Sequence, residues 1–120
     1  TKVQFTTEIY DISSTFDSST NYRWTPAKVG IANISARVAW TSAVDGVTIY
    51  TAIYKNGSLY RESALVTAGT QGNQGPHISE DVQVSAITDY FEIFARQDSG
   101  GNKTISGNTT QTYASFKMLK

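Results

Sequence analysis

Cysteine is absent from the 120 residues of the chain, and histidine occurs once, as His77. Without thiols there are no disulfide bridges, thiolate nucleophiles or zinc sites with thiolate ligands. A single histidine also cannot form a metal site of several histidines. The adjacent acids Glu80 and Asp81 lie on a predicted strand and point to opposite faces, so they cannot act together on one glycosidic bond. We therefore predict no catalytic residue, no metal and no cofactor, and do not expect an enzyme.

The chain also lacks a net charge, because ten basic residues balance ten acidic ones. Nucleic acid and anionic membranes require a basic surface, so neither is an expected partner. No apolar run approaches the roughly 20 residues of a membrane-spanning helix, and no signal peptide is recognised. Because the sequence starts at Thr1 rather than methionine, we expect residues 1–120 to be a single domain of a longer, fibre-like chain.

Proline is scarce, at two residues, and no stretch has the period of a helix, whereas aromatic residues make up 12% of the chain. Apolar and polar residues alternate instead, as in half-buried strands. The clearest alternation follows Gly30 and assigns one row to the core: Ala32, Ile34, Ala36, Val38 and Trp40. Further strands are predicted over residues 3–9, 22–26, 77–86, 90–96 and 112–119. Short strands separated by turns predict an all-β sandwich, jelly roll or barrel.

Residues 47–62 predict a β-hairpin around Asn56-Gly57, the pair that best accepts the positive φ angles of a type I′ turn. In the resulting register Tyr54 meets Leu59, Ile53 meets Tyr60 and Ile49 meets Ala64. One face then carries Ile49, Ile53 and Tyr60, and the other carries Tyr50, Ala52, Tyr54 and Leu59. Two largely apolar faces indicate a core on one side and a neighbouring subunit on the other.

Residues 22–24 are the candidate ligand contact, because flat aromatic rings cover sugar faces and Trp24 precedes a strand end at Pro26. Tyr22 and Arg23 accompany it. Residues 98–102 (DSGGN) lack the ligand spacing of an EF-hand, so an ordinary turn is favoured over a calcium loop.

Motifs along nearly the whole chain resemble those of C1q-like domains. The segment 23–26 (RWTP) with Gly30 and the alternation after it is similar to the signature F-x-x-P-x-x-G-x-Y-x-F. The hairpin tip 53–57 (IYKNG) resembles the K-N-G turn of that family, and 88–93 (TDYFEI) resembles its G-D-x-V-x-L segment. The closing segment 113–116 (YASF) is similar to F-S-G-F. Departures at Ala32, Thr88 and Ser115 indicate a remote member.

The resemblance implies a jelly-roll sandwich of about ten antiparallel strands, of the C1q and tumour-necrosis-factor type, assembled as a homotrimer without enzymatic activity. C1q-like versions that lack cysteine and are rich in Tyr, Asn and Thr resemble modules at the ends of bacteriophage fibre and other virion proteins. The surplus aromatic residues of two strands suit such an assembly. The residues expected at the trimer interface are Tyr50, Tyr54, Leu59, His77 and Phe94.

Two functions follow from this interpretation. The first is a trimeric head on a phage tail fibre or other virion component, which assembles the fibre and attaches it to a host-surface ligand. The second is an extracellular or cell-surface recognition module that binds a glycan or a protein. A third function, a small glycoside-active enzyme, is disfavoured because the chain shows no suitable acid pair and no nucleophile motif.

Overall fold

Two antiparallel β-sheets enclose the hydrophobic core in the computed structural model of the chain, which describes residues 1–9, 11, 14–41, 45–69 and 73–120. These ranges contain no helix. The strands are β1 (Phe16–Asp17), β2 (Arg23–Trp24), β3 (Gly30–Arg37), β4 (Thr48–Lys55), β5 (Ser58–Val66), β6 (His77–Val84), β7 (Phe91–Gln97) and β8 (Tyr113–Met118). The all-β fold predicted from the alternation is confirmed.

One sheet has five strands in the order β1-β2-β7-β4-β5, and the other has three in the order β6-β3-β8. The chain therefore passes repeatedly from one sheet to the other, since β3, β6 and β8 each follow a strand of the five-stranded sheet. Such alternation between two stacked antiparallel sheets is compatible with a jelly roll. Within the described ranges the strands number eight, against about ten implied by the resemblance.

The N-terminal segment accounts for part of this difference. Lys2 forms an isolated bridge with Phe94, and Val3 donates its N–H to Ile93 O at 2.8 Å. Beyond this point the described segment has no sheet partner, and Ile9 is 89% exposed. The predicted strand over residues 3–9 is therefore wrong for most of its length. An alternating pattern gives the period of the side chains but supplies no neighbouring strand to bond with.

The core row predicted after Gly30 is confirmed. Ala32, Ile34, Ala36 and Val38 are fully buried, and Trp40 is 6% exposed. The five-stranded sheet contributes Ile53, Phe91 and Ile93 to the same cluster. Fully burying one large apolar side chain contributes about 1.5–3 kcal/mol, so this shared cluster holds the two sheets together.

The hairpin turn is also confirmed, because Asn56 and Gly57 have φ angles of 51° and 82°. Its register is as predicted only next to the turn, where Tyr54 pairs with Leu59. A β-bulge between Ile53 and Tyr54 shifts the remainder, so that Ile53 pairs with Arg61 and Ile49 with Leu65. The predicted pairings of Ile53 with Tyr60 and Ile49 with Ala64 are wrong, since the bulge leaves Tyr60 as an extra residue.

Candidate interaction surfaces

The outer side of the five-stranded sheet carries a cluster that we name the aromatic face: Tyr50, Tyr54, Phe94 and Arg96. The rings of Tyr54 and Phe94 stack with centroids 3.9 Å apart at 17°. The Arg96 guanidinium lies 3.5 Å from the centroid of the Tyr50 ring. These contacts occupy ring faces within the chain, and they leave Ala52 between them only 3% exposed. With these contacts Tyr50, Tyr54 and Phe94 are half-buried, and Arg96 is exposed.

Ion pairs fix this arrangement. Arg96 donates from Nε and Nη2 to the two carboxylate oxygens of Glu62 at 3.1 and 3.0 Å. This hydrogen bonding raises the pKa of the Arg96 guanidinium. Lys2 donates to Glu92 on the same face at 2.7 Å. A cleft of about 30 Å³ beside Thr1 is far smaller than the few hundred cubic ångströms of a typical small-molecule site.

The outer side of the three-stranded sheet is different, and we name it the polar face: Asn33, Ser35, Ser79, Asp81, Ser115 and Lys117. The central row consists of Ser79, Ser35 and Ser115, and the hydroxyls of Ser35 and Ser79 are 3.0 Å apart. In the next row Asn33 donates to Asp81 at 3.0 Å. Because serine side chains are short, no large side chain projects from the middle of this face, where Ser79 and Ser115 are exposed.

The last row of the same sheet, which we name the end row, is formed by His77, Arg37 and Tyr113. Arg37 donates from Nε to Gly75 O at 3.1 Å and from Nη1 to Gln111 O at 3.0 Å. These carbonyls precede β6 and β8, so they fix the guanidinium at the end of the sandwich. The rings of His77 and Tyr113 flank the row, with centroids 6.4 Å apart, and both residues are exposed.

The residues predicted for the trimer interface fall on two different sheets. Tyr54, Leu59 and Phe94 come together on the outer side of the five-stranded sheet, where Tyr50 lies on the same strand as Tyr54. His77 begins β6 in the three-stranded sheet and belongs to the end row. A single flat contact therefore cannot include all five residues.

The candidate ligand residues Tyr22, Arg23 and Trp24 do not form an exposed platform. Trp24 is 5% exposed and donates its indole N–H to Thr15 Oγ1 at 2.9 Å. The pairing of β2 with β7 places the Trp24 ring in the core, so it lacks the exposed surface that a ligand contact needs. Arg23 stacks on Tyr90, with its guanidinium 4.2 Å from the ring centroid. Tyr22, with a φ of 51°, is half-buried like Arg23.

A polar network at the hairpin tip has no counterpart among the sequence predictions. The Asp89 carboxylate accepts from Asn56 Nδ2 at 2.9 Å and from the N–H groups of Ser85 and Ala86 at 2.7 and 3.1 Å. Lys55 Nζ lies 3.4 Å from the same carboxylate. The bond from Asn56, followed by the backbone bonds, lowers the pKa of Asp89 to about 2. The only sequence signal for this network is the turn motif at residues 88–89, and this motif does not reveal that Asp89 binds Asn56.

Within the described ranges no group of three or more histidine, aspartate or glutamate side chains is placed to hold a metal ion. The same part of the chain contains no helix long and apolar enough to cross a membrane. Glu80 approaches Arg61 at 3.9 Å, whereas Asp81 bonds Asn33, so the two adjacent acids face different partners as predicted.

The chain matches no protein-family model, and no curated protein matches it either.

Proposed function

We propose that this chain is the non-enzymatic, homotrimeric head of a bacteriophage tail fibre or another virion protein, of the C1q-like type, and that it attaches to a host-surface ligand. The supporting observation is the flat polar face, which adjoins an exposed sheet edge. An exposed edge strand is normally protected or covered by another chain. A second copy of the same chain is the occupant that the geometry favours.

The edge in question belongs to β5, whose nine residues are mostly exposed. Leu59 and Val66 on this strand are 54% and 62% exposed. The edge of β6 lies on the same side of the sandwich, because Arg61 of β5 approaches Glu80 of β6 at 3.9 Å. Since β6 also borders the polar face, the edge and the face are adjacent sides of one subunit.

Adjacent sides are what a closed trimer requires. A cyclic trimer uses a heterologous contact, in which two different patches of each subunit meet. Contacts between patches on opposite sides of a sandwich would add subunits in an open line. Contacts between patches on adjacent sides rotate each subunit relative to the previous one, so that a ring can close. In this arrangement Leu59 stays in the interface and His77 lies at its margin. Tyr50, Tyr54 and Phe94 fall outside it, because they cover one another within the subunit.

Light scattering tests the assembly. We expect a mass three times the 13.1 kDa of the chain. Ser35→Arg places a long charged side chain in the middle of the polar face and should give a monomer. Thr7→Arg, on the exposed N-terminal segment outside both sheets, is the matched control and should remain trimeric. A monomeric wild-type protein, or a trimeric Ser35→Arg variant with a dissociated Tyr54→Asp variant, contradicts this interface.

An extracellular C1q-like recognition module that binds glycan or protein is the second candidate function. The same polar face and exposed end row suit it, because both are accessible without a virion. If the chain belongs to a longer protein, the sequence before Thr1 separates the two functions. Fibre or coiled-coil repeats there support the virion head, whereas a collagen-like repeat or a signal peptide supports the extracellular module. A glycan-array screen of the domain would identify the ligand class for either.

A further inference from the structure

Arg37 has no carboxylate partner within the part of the chain that the structure describes. Among the described residues, ion pairs join Arg61 to Glu80 and Arg96 to Glu62, but none involves Arg37. Its two hydrogen-bond acceptors, Gly75 O and Gln111 O, are neutral carbonyls. They use Nε and one hydrogen of Nη1, so Nη2 has no partner in the described ranges. A guanidinium fixed in this way is prepared to bind an anion, and its planar donors match a carboxylate.

The neighbours of Arg37 favour a carboxylate attached to a ring-shaped ligand. His77 and Tyr113 are its cross-strand partners on either side, and both are exposed. They add N–H and O–H donors within the same row, and their rings offer apolar surface of the kind that covers sugar faces. The end row itself contains no acidic residue that would repel an anion.

The residues around the end row are also compatible with a bound carboxylate. The nearest acid of the polar face is Asp81, which lies two rows away beyond Ser79 and accepts from Asn33. The Gln111 side chain accepts from Asn73 at 2.6 Å and from Ser106 at 2.9 Å, so its carbonyl oxygen is already engaged. His77 and Tyr113 are exposed at this end of the sandwich, and Arg37 between them is half-buried.

We propose that Arg37, His77 and Tyr113 form a binding site for an acidic sugar, with the carboxylate of a uronic acid on Arg37 and the sugar ring against the two side rings. The site gives the proposed attachment role a ligand class, and it rests on that role only for which host surface carries the sugar. All three residues belong to one subunit, and of them His77 lies at the margin of the proposed trimer contact.

Nuclear magnetic resonance can test the site, because the imidazole signals of the chain all belong to His77, its only histidine. The probe is glucuronate added to the intact chain, with glucose and acetate as comparison ligands. We expect saturable shifts of the His77 signals with glucuronate, at lower concentrations than with acetate, and none with glucose. Arg37→Gln should weaken glucuronate binding at least about tenfold, which is the scale for losing a charged hydrogen bond.

Arg96→Gln is the matched control, since Arg96 is paired with Glu62 on the opposite side of the sandwich, and it should bind glucuronate normally. If Arg37→Gln does not fold, Tyr113→Leu replaces it and should weaken binding measured by calorimetry. Unshifted His77 signals, equal binding of glucose or acetate, or full binding by the folded variant overturns the proposal. Light scattering on the same samples keeps this outcome separate from failure of the trimer.

Discussion

Asn56 has two roles at the hairpin tip. Its φ of 51° is the left-handed conformation that the turn requires. It also forms three hydrogen bonds to the turn before β7: its N–H donates to Tyr90 O at 3.0 Å, its Oδ1 accepts from Tyr90 N–H at 3.0 Å, and its Nδ2 donates to Asp89 at 2.9 Å. Glycine meets only the first requirement and aspartate lacks the donor, so asparagine is the residue that satisfies both.

Asn56→Asp should therefore destabilise the chain more than Asn56→Gly. Aspartate tolerates the positive φ but places a second carboxylate beside Asp89 and removes the amide donor. We expect a loss of about 2 kcal/mol or more in the free energy of unfolding, against about 1 kcal/mol for glycine, measured by urea denaturation. Equal stability of the two variants would show that the bond to Asp89 contributes little.

Acid should weaken the same network. The pKa of Asp89 in the folded chain is about 2, below its ordinary value of 3.8. A lowered carboxyl pKa adds stability that is complete above the ordinary value and is lost as pH falls towards the folded value. Asp17 behaves alike, because backbone N–H groups of Thr20, Ser19 and Asn21 lower its pKa.

We expect the melting temperature to fall as the pH is lowered from about 5 to about 2. Asp89→Asn and Asp17→Asn should each flatten part of that fall, because neither variant titrates at the replaced position. Calorimetry across this pH window measures the effect. If neither substitution changes the slope of the melting temperature against pH, other carboxylates cause the acid sensitivity.

At the scale of single elements, local chemistry decides how far the sequence is predictive. The β3 row and the positive φ angles of Asn56 and Gly57 depend on neighbours in sequence, and the sequence predicts both correctly. The bulge beside Ile53 is not predictable in this way, because the turn fixes only the first pairs of the hairpin and packing of Tyr60 against the core decides the rest. The strand expected up to Ile9 fails because pairing requires a partner that the pattern does not contain.

The candidate surfaces are less predictable for the same reason. Arg37, His77 and Tyr113 meet only through the pairing of β3 with β6 and β8, and no local motif predicts that they form one row. The alternation correctly places the aromatic residues Tyr54 and Phe94 on outward faces. Their mutual stacking depends on the pairing of β4 with β7.

Gly75 makes the entry into β6 sensitive to a single methyl group. A Cβ at this position would overlap the backbone carbonyl of Val38, which cannot move without shifting the strand connection. Gly107 serves as the matched control, because a Cβ added there would have no other atom within 4 Å. Gly75→Ala should cost about 1–3 kcal/mol in urea denaturation, as overpacking does, whereas Gly107→Ala should be nearly neutral. Similar values for both would mean that the connection adapts.

For the molecule as a whole, the two outer sides of the sandwich differ in what they leave unsatisfied. The aromatic face satisfies its rings and charges internally through Phe94, Arg96 and Glu62. The polar face keeps Ser79, Ser115 and Lys117 exposed, and the β5 edge exposes Leu59 and Val66. Association through the second pair of surfaces would cover an edge that a lone sandwich leaves open.

Such association makes thermal stability depend on protein concentration. When a folded trimer unfolds to monomers, dilution favours the unfolded chains, so the melting temperature falls. We expect this concentration dependence for the wild-type chain and for Tyr54→Asp, whose substitution lies on the aromatic face. Ser35→Arg should melt at one temperature across all concentrations, because a monomer has no association equilibrium. If the wild-type melting temperature does not change with protein concentration, the open edge contacts a different partner. If only Tyr54→Asp loses the concentration dependence, the interface lies on the aromatic face instead.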